Sequence, residues 1–172
     1  MKNKFKICCL SAVLVTTALY GSYFIKSNFV FNTTKSLSQY VFYKEDLARK
    51  FTLQHGDYVS VCPFYSKMAE FYKLKEHLEN GDCNNGVVPL IKKVAAIPGD
   101  VITVNDKNGM TVNERTIKNT TALSSKIQHF KFAGIVPKGH YLLYTPHPEG
   151  FDSRYLGLIT DNEIIYKLKP IF

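Results

Sequence analysis

The run Leu90–Asp100, LIKKVAAIPGD, sets two lysines, Lys92 and Lys93, inside an apolar segment that ends in a Pro-Gly-Asp turn. Ile, Val and Ala closed by such a turn read as a buried or half-buried strand, and strand alternation sends adjacent side chains to opposite faces. One of the two lysines therefore points inward. Desolvation disfavours the ammonium form of such a lysine and lowers its pKa, which makes the amine a base near neutral pH. Taken alone, the stretch also fits an edge strand whose two lysines both reach water along their apolar stems.

Beyond this strand the chain reads as short β segments. Val101–Val104 and Met110–Val112 flank the turn Asp106-Lys107-Asn108-Gly109 and predict a strand pair. Arg115–Gln128 is polar and unpatterned, and is read as loop. A turn over Gly134–Gly139 leads into a strand at His140–Tyr144, and Ile164, Ile165 and Tyr166 form the strand core of Ile159–Leu168. Upstream, Tyr58–Cys62 and Tyr40–Tyr43 are strand-prone, Ser27–Thr34 is a short connector, and Glu45–Lys50 predicts one helical turn. Phe64–Glu79 differs: Met68, Phe71, Tyr72, Lys75 and Leu78 recur at helical spacing after Pro63, and Gly81 stops the run. The expected fold is mostly β over residues 26–172, with one helical insertion at about 63–83.

The N-terminus predicts an anchor. Lys2, Lys4 and Lys6 come before any acid, and the chain is then uncharged from Ile7 to Ile25. At about 1.5 Å per residue that run just spans a hydrocarbon core of about 30 Å. Its length exceeds the apolar region of a cleaved signal peptide, and Tyr20, Tyr23 and Phe24 resemble an interfacial aromatic belt. Cleavage near Ala18–Ser22 is the competing expectation. Residues 1–6 are assigned to the cytoplasm, since basic residues favour that side, and 26–172 to the periplasmic face.

The net charge of +8 includes the three N-terminal lysines. A basic domain beside a membrane suits anionic headgroups, whereas scattered lysines without a motif argue against nucleic acid as a partner. Cys8 and Cys9 lie within the apolar run. Cys62 and Cys83 bracket the helical insertion, and in an oxidising compartment a bridge closing that loop stabilises by about 3 kcal/mol in the chain-entropy model. The five histidines show no ligand spacing, so no metal and no cofactor is expected.

An inward lysine used as a base needs a nucleophile. Ser36 within Asn32-Thr33-Thr34-Lys35-Ser36, then IKKVAAIPGD, then VPKGHYLLY and FDSRYLG, resemble in that order the type I signal peptidase family of serine-lysine proteases. The match is nearest the TraF-type conjugative-transfer peptidases, which it resembles in the Asn-x-Thr-x-Ser segment, the cysteine pair about the insertion and the entry Val88-Pro89-Leu90-Ile91-Lys92. The resemblance implies Ser36 as nucleophile and Lys92 as general base. It also implies an oxyanion site from the Ser36 N–H and the Thr34 hydroxyl, with Asp152 and Arg154 as a supporting ion pair. Lys93 falls where relatives often carry arginine.

The chain departs from the family pattern at Ser38 and Tyr40, where relatives have proline and, in the conjugative subgroup, glycine. This makes Ser38 a rival nucleophile. The implied substrate is an exported precursor, foremost a pilin of conjugative transfer or type IV secretion, that is cut or cyclised at the outer face of the inner membrane. The alternative is a degenerate, membrane-bound assembly factor that binds pilin without cleaving it.

Overall fold

The structure is a computed structural model that describes residues 2–45, 52–64, 81, 83–84, 86, 88–121 and 128–171, with side chains from residue 11 onward. Helix α1 spans Lys2–Asn28. Among the described residues no helix is long and apolar enough to cross a membrane, and the apolar run expected to do so begins at residues whose side chains lie outside the described set.

The chain passes from α1 directly into strand β1, Phe29–Phe31, where a connector was expected. Phe, Val and Phe are strand-prone, and an antiparallel partner is at hand in β2, Val41–Glu45, with Val30 opposite Phe42 and Phe31 opposite Val41. Strands β3 (Tyr58–Val61) and β4 (Leu90–Ala96) fall on the expected segments. So do β5 (Val101–Asn105) and β6 (Gly109–Val112).

Two further strands were not expected: β7, Arg115–Thr116, and β8, Phe132–Ile135. Each is too short, or too interrupted by glycine, to show a period of two, and each is recruited by a neighbour, β7 by β6 and β8 by β5. Strand β9, His140–Tyr144, is followed by a short helix α2, Ser153–Leu156, then β10, Ile159–Thr160, and β11, Ile164–Pro170.

The strands form a seven-stranded sheet in the order β1-β2-β11-β3-β4-β9-β10 and a four-stranded sheet in the order β7-β6-β5-β8. Strand β4 thus has partners on both sides, which rules out the edge-strand alternative for the lysine pair. One core cluster gathers Val59, Val61, Val94, Leu143, Leu156 and Ile159. A second joins the two sheets through Ala96, Ile102, Met110, Val136 and Leu142. A third, smaller cluster of Leu37, Phe42, Ile91 and Leu168 lies under the β1–β2 connection.

Cys62 and Cys83 are bridged, with Cα atoms 5.5 Å apart. Most of the helical insertion between them, residues 65–80, lies outside the described residues, as does most of the helical turn expected at Glu45–Lys50, whose first residue belongs to β2.

Candidate active site

The alternation of β4 settles which lysine is inside. Lys92 is 5% exposed. It stands opposite Val59 and shares its face with Val94, both core residues. Lys93 points the other way, half-buried, with its Nζ 5.3 Å from the centroid of the Tyr58 ring.

Ser36 sits at the middle of the loop that joins β1 to β2. The loop is closed at its base by the Asn32 N–H, which donates to Tyr40 O at 2.8 Å. It is held down at two further points. Leu37, 4% exposed, packs in the same cluster as Ile91, the residue before Lys92. Tyr58 Oη donates to Gln39 Oε1 at 3.0 Å, and Tyr58 lies opposite Lys93 across the β3–β4 ladder. Burial, together with the nearby Tyr144, raises the Tyr58 phenol pKa, so it remains a donor across the physiological range. The serine loop is therefore seated on β3 and β4 on the face of Lys93, opposite to the face on which Lys92 is buried.

Within the loop, Ser36 Oγ lies 2.6 Å from Thr34 Oγ1, which lies 2.8 Å from Asn32 Oδ1. Among the described residues the hydrogen bond of Ser36 Oγ runs to Thr34 and not to Lys92. Ser36 N–H also faces Thr34 Oγ1, at a long 3.4 Å. Ser38, the rival nucleophile, is exposed two residues further on, as is Lys35 one residue before Ser36.

Asp152 and Arg154 form no surface pair: both side chains are fully buried. Arg154 Nε donates to Asp152 Oδ1 and Nη2 to Oδ2, each at 2.8 Å. The rest of the guanidinium is spent on backbone carbonyls, with Nη2 donating to Gly150 O and His147 O and Nη1 to Asn119 O and Pro148 O. Gly150 is required for this wrapping, since a Cβ there would fall 1.7 Å from Thr145 Oγ1.

Asp152 in turn caps α2 by accepting from Arg154 N, and its Oδ2 accepts from Thr145 N at 2.9 Å. Thr145 follows Tyr144, the β9 residue opposite Lys93, and Leu143 N donates to Ser153 Oγ at 2.9 Å. The pair thus fixes the end of β9 against β4 at the Lys92–Lys93 step. Tyr58, Thr145 and Gly150 were not singled out by sequence reasoning, and Asn32 entered only as the first residue of the Asn-x-Thr-x-Ser segment with no role of its own, though an Asn two residues before a Thr is a usable sign of side-chain to backbone bonding in a turn.

A groove of about 870 Å³ opens between β1 and the start of β4, lined by Phe29, Phe31, Pro89, Ile91, Tyr166 and the Cys62–Cys83 bridge. Lys26, Lys44, Asn84 and Asn162 add polar groups to its lining, which includes none of Ser36, Thr34 or Lys92.

The family model described as "Signal peptidase, peptidase S26" matches residues 2–172. A conjugal transfer protein TraF of Agrobacterium fabrum is 33% identical over 123 residues, covering 70% of this chain and 69% of that protein. A second, from Agrobacterium tumefaciens strain 15955, is 27% identical over 175 residues, covering 100% of this chain and 98% of that one. Among solved structures, a signal peptidase I from Enterococcus faecalis aligns with a TM-score of 0.39 at 15% identity, over 69% of this chain and 98% of that one. The chain belongs to the peptidase S26 signal peptidase family and is related to its conjugal-transfer TraF members.

Proposed function

We propose that the protein is a membrane-anchored serine endopeptidase that removes leader peptides from exported precursors, with Ser36 as nucleophile and Lys92 as general base. The observation that supports this reading is the seating of the Ser36 loop, through Leu37 on Ile91 and Gln39 on Tyr58, on β4, the strand in which Lys92 is buried on the opposite face. A serine hydroxyl is a weak nucleophile until a base takes its proton, and a desolvated, neutral lysine serves without histidine or aspartate.

Attack by Ser36 Oγ on the scissile carbonyl passes its proton to Lys92. Lys92 then protonates the leaving amine and takes a proton from the deacylating water. The oxyanion is met by Ser36 N–H and the Thr34 hydroxyl, and one such donor is worth about 3 kcal/mol of transition-state stabilisation. Asp152 and Arg154 hold β9 against the lysine strand, and the groove beside β1 receives the segment upstream of the cut.

Helix α1, with its basic start, anchors the chain in the inner membrane with the catalytic domain on the periplasmic side. A precursor whose leader lies in the bilayer presents its scissile bond near that surface, and tethering raises the local enzyme concentration. The conjugal-transfer names of the relatives support a pilin as substrate, released by water or cyclised by its own amine.

The test is processing of a co-expressed pilin precursor in membranes by wild type and by Ser36→Ala, Ser38→Ala and Lys92→Ala, read by mass. Loss with Ser36→Ala and Lys92→Ala but not with Ser38→Ala is the expected result, and the product mass separates hydrolysis from cyclisation. Loss only with Ser38→Ala moves the nucleophile. Binding of precursor without cleavage by any form favours the assembly-factor reading, which the departures at Ser38 and Tyr40 motivate.

A further inference from the structure

Asn32 is 8% exposed, and its carboxamide has every hydrogen-bonding position filled. Nδ2 donates to Leu37 O at 3.3 Å and to Gln39 O at 3.0 Å, while Oδ1 accepts from Thr34 N at 3.1 Å and from Thr34 Oγ1 at 2.8 Å. Turning the amide over would set its NH2 against the Thr34 N–H and its oxygen against two carbonyls, so the network itself fixes the orientation.

The direction of every proton in the chain follows. Oδ1 only accepts, so the Thr34 hydroxyl must donate to Asn32. Thr34 Oγ1 is then an acceptor toward Ser36, and the Ser36 hydroxyl donates to it at 2.6 Å. In this resting arrangement the Thr34 proton is not free for an oxyanion, and the Ser36 proton is not directed at Lys92. The loop has no proline or glycine to fix its shape, and Asn32 ties its two ends from the inside.

We propose that Asn32 is the positioning residue of the site: it presents Ser36 and Thr34 on a rigid loop and holds them in a latent hydrogen-bond chain that substrate reverses. This rests on the endopeptidase reading above. A scissile carbonyl brought to the serine loop takes the Thr34 hydroxyl proton as a hydrogen bond in place of Asn32 Oδ1. Thr34 Oγ1 swings with it, the Ser36–Thr34 bond opens, and the Ser36 hydroxyl turns to the Lys92 amine, which takes its proton as Oγ attacks. Asn32 keeps its bonds to Leu37 O, Gln39 O and Thr34 N throughout, so the loop does not collapse when the hydroxyl leaves.

The experiment uses the full-length protein in membranes with a pilin precursor that wild type cleaves. Asn32→Ala, Thr34→Val and the two combined are compared with wild type, kcat and KM are separated, and hydrogen exchange is read residue by residue at the Thr34 amide. Asn32→Ala is expected to lower kcat about 100-fold, as loss of an aligned oxyanion donor does, with KM unchanged. The combined variant is expected to be no slower than the slower single variant, because both remove one function. In Asn32→Ala the Thr34 amide is expected to lose protection while the core amides of Val59 and Val94 keep theirs.

A raised KM with kcat kept, or losses that multiply, overturns the proposal. Should wild type cleave no precursor, the endopeptidase reading fails, and the exchange arm alone decides the positioning role: unchanged Thr34 protection in Asn32→Ala refutes it, and lost protection supports it.

Discussion

Replacing Arg154 by methionine isolates what the buried ion pair contributes. The substitution keeps most of the apolar volume but removes the partner of a fully buried carboxylate and the donors to four backbone carbonyls. Breaking a buried pair on one side costs about 3–5 kcal/mol, since the remaining charge and acceptors stay buried without compensation. Against a total stability of about 5–15 kcal/mol this is a fifth or more, enough to lower a urea midpoint well outside error. The assay is equilibrium urea unfolding of the full-length protein in detergent, followed by circular dichroism.

Two controls give the result its meaning. Asp106→Asn removes the charge from the surface contacts that Asp106 makes with Lys131 and His129 and is expected to shift the midpoint little. Asp152→Leu combined with Arg154→Met removes both charges and is expected to recover part of the loss, but not all, because Asp152 also caps α2 and holds Thr145. If Arg154→Met shifted the midpoint no more than Asp106→Asn, the wrapped loop would be incidental, and the claim that it fixes β9 against the lysine strand would fall.

Two other outcomes are expected. Burial pushes the Asp100 carboxyl up, but hydrogen bonds from Ile97 N–H, Asn113 and His55 outweigh it and hold the pKa below the usual 3.8. Its folded pKa being lowered, Asp100 contributes stability that is fully present above 3.8 and is lost as pH falls through the lower folded value. The stability difference between wild type and Asp100→Asn, measured by urea titration at a series of pH values, should shrink only on that acid side. A difference that grew on acidification would contradict the assignment. Converting Cys62 and Cys83 together to serine opens a loop of 21-residue separation and is expected to cost about 3 kcal/mol; reductant should then have no further effect on the urea midpoint. An unchanged midpoint in the double variant would show that the bridge contributes nothing.

Much of this fold is local in origin, and those parts were legible. The β4 strand announces itself through Ile, Val and Ala closed by Pro98-Gly99-Asp100, and Gly99 has the positive φ that such a turn requires. The β5–β6 hairpin is written in its turn residues. Strands β7 and β8 were not legible, because two residues, or four broken by Gly134, carry too little pattern and exist by pairing with a longer neighbour. The same holds for β1, which looks like a connector until Val41–Glu45 supplies its ladder.

The sequence by itself determined the residue types of the candidate site: a serine with a threonine two before it, an apolar strand that forces one of two lysines inward, and an acid–base pair late in the chain. Alternation alone fixes only that Lys92 and Lys93 differ, and the family resemblance is what named Lys92. Tertiary structure made the choice by setting Val59 and Val94 on the face of Lys92 and the Tyr58 ring on that of Lys93. It also turned Asp152 and Arg154 into a buried clamp on the loop after β9, and Asn32 into the tie of the serine loop. Both depend on backbone carbonyls and N–H groups that only the folded path of the chain brings within reach, and backbone groups carry no signature in sequence.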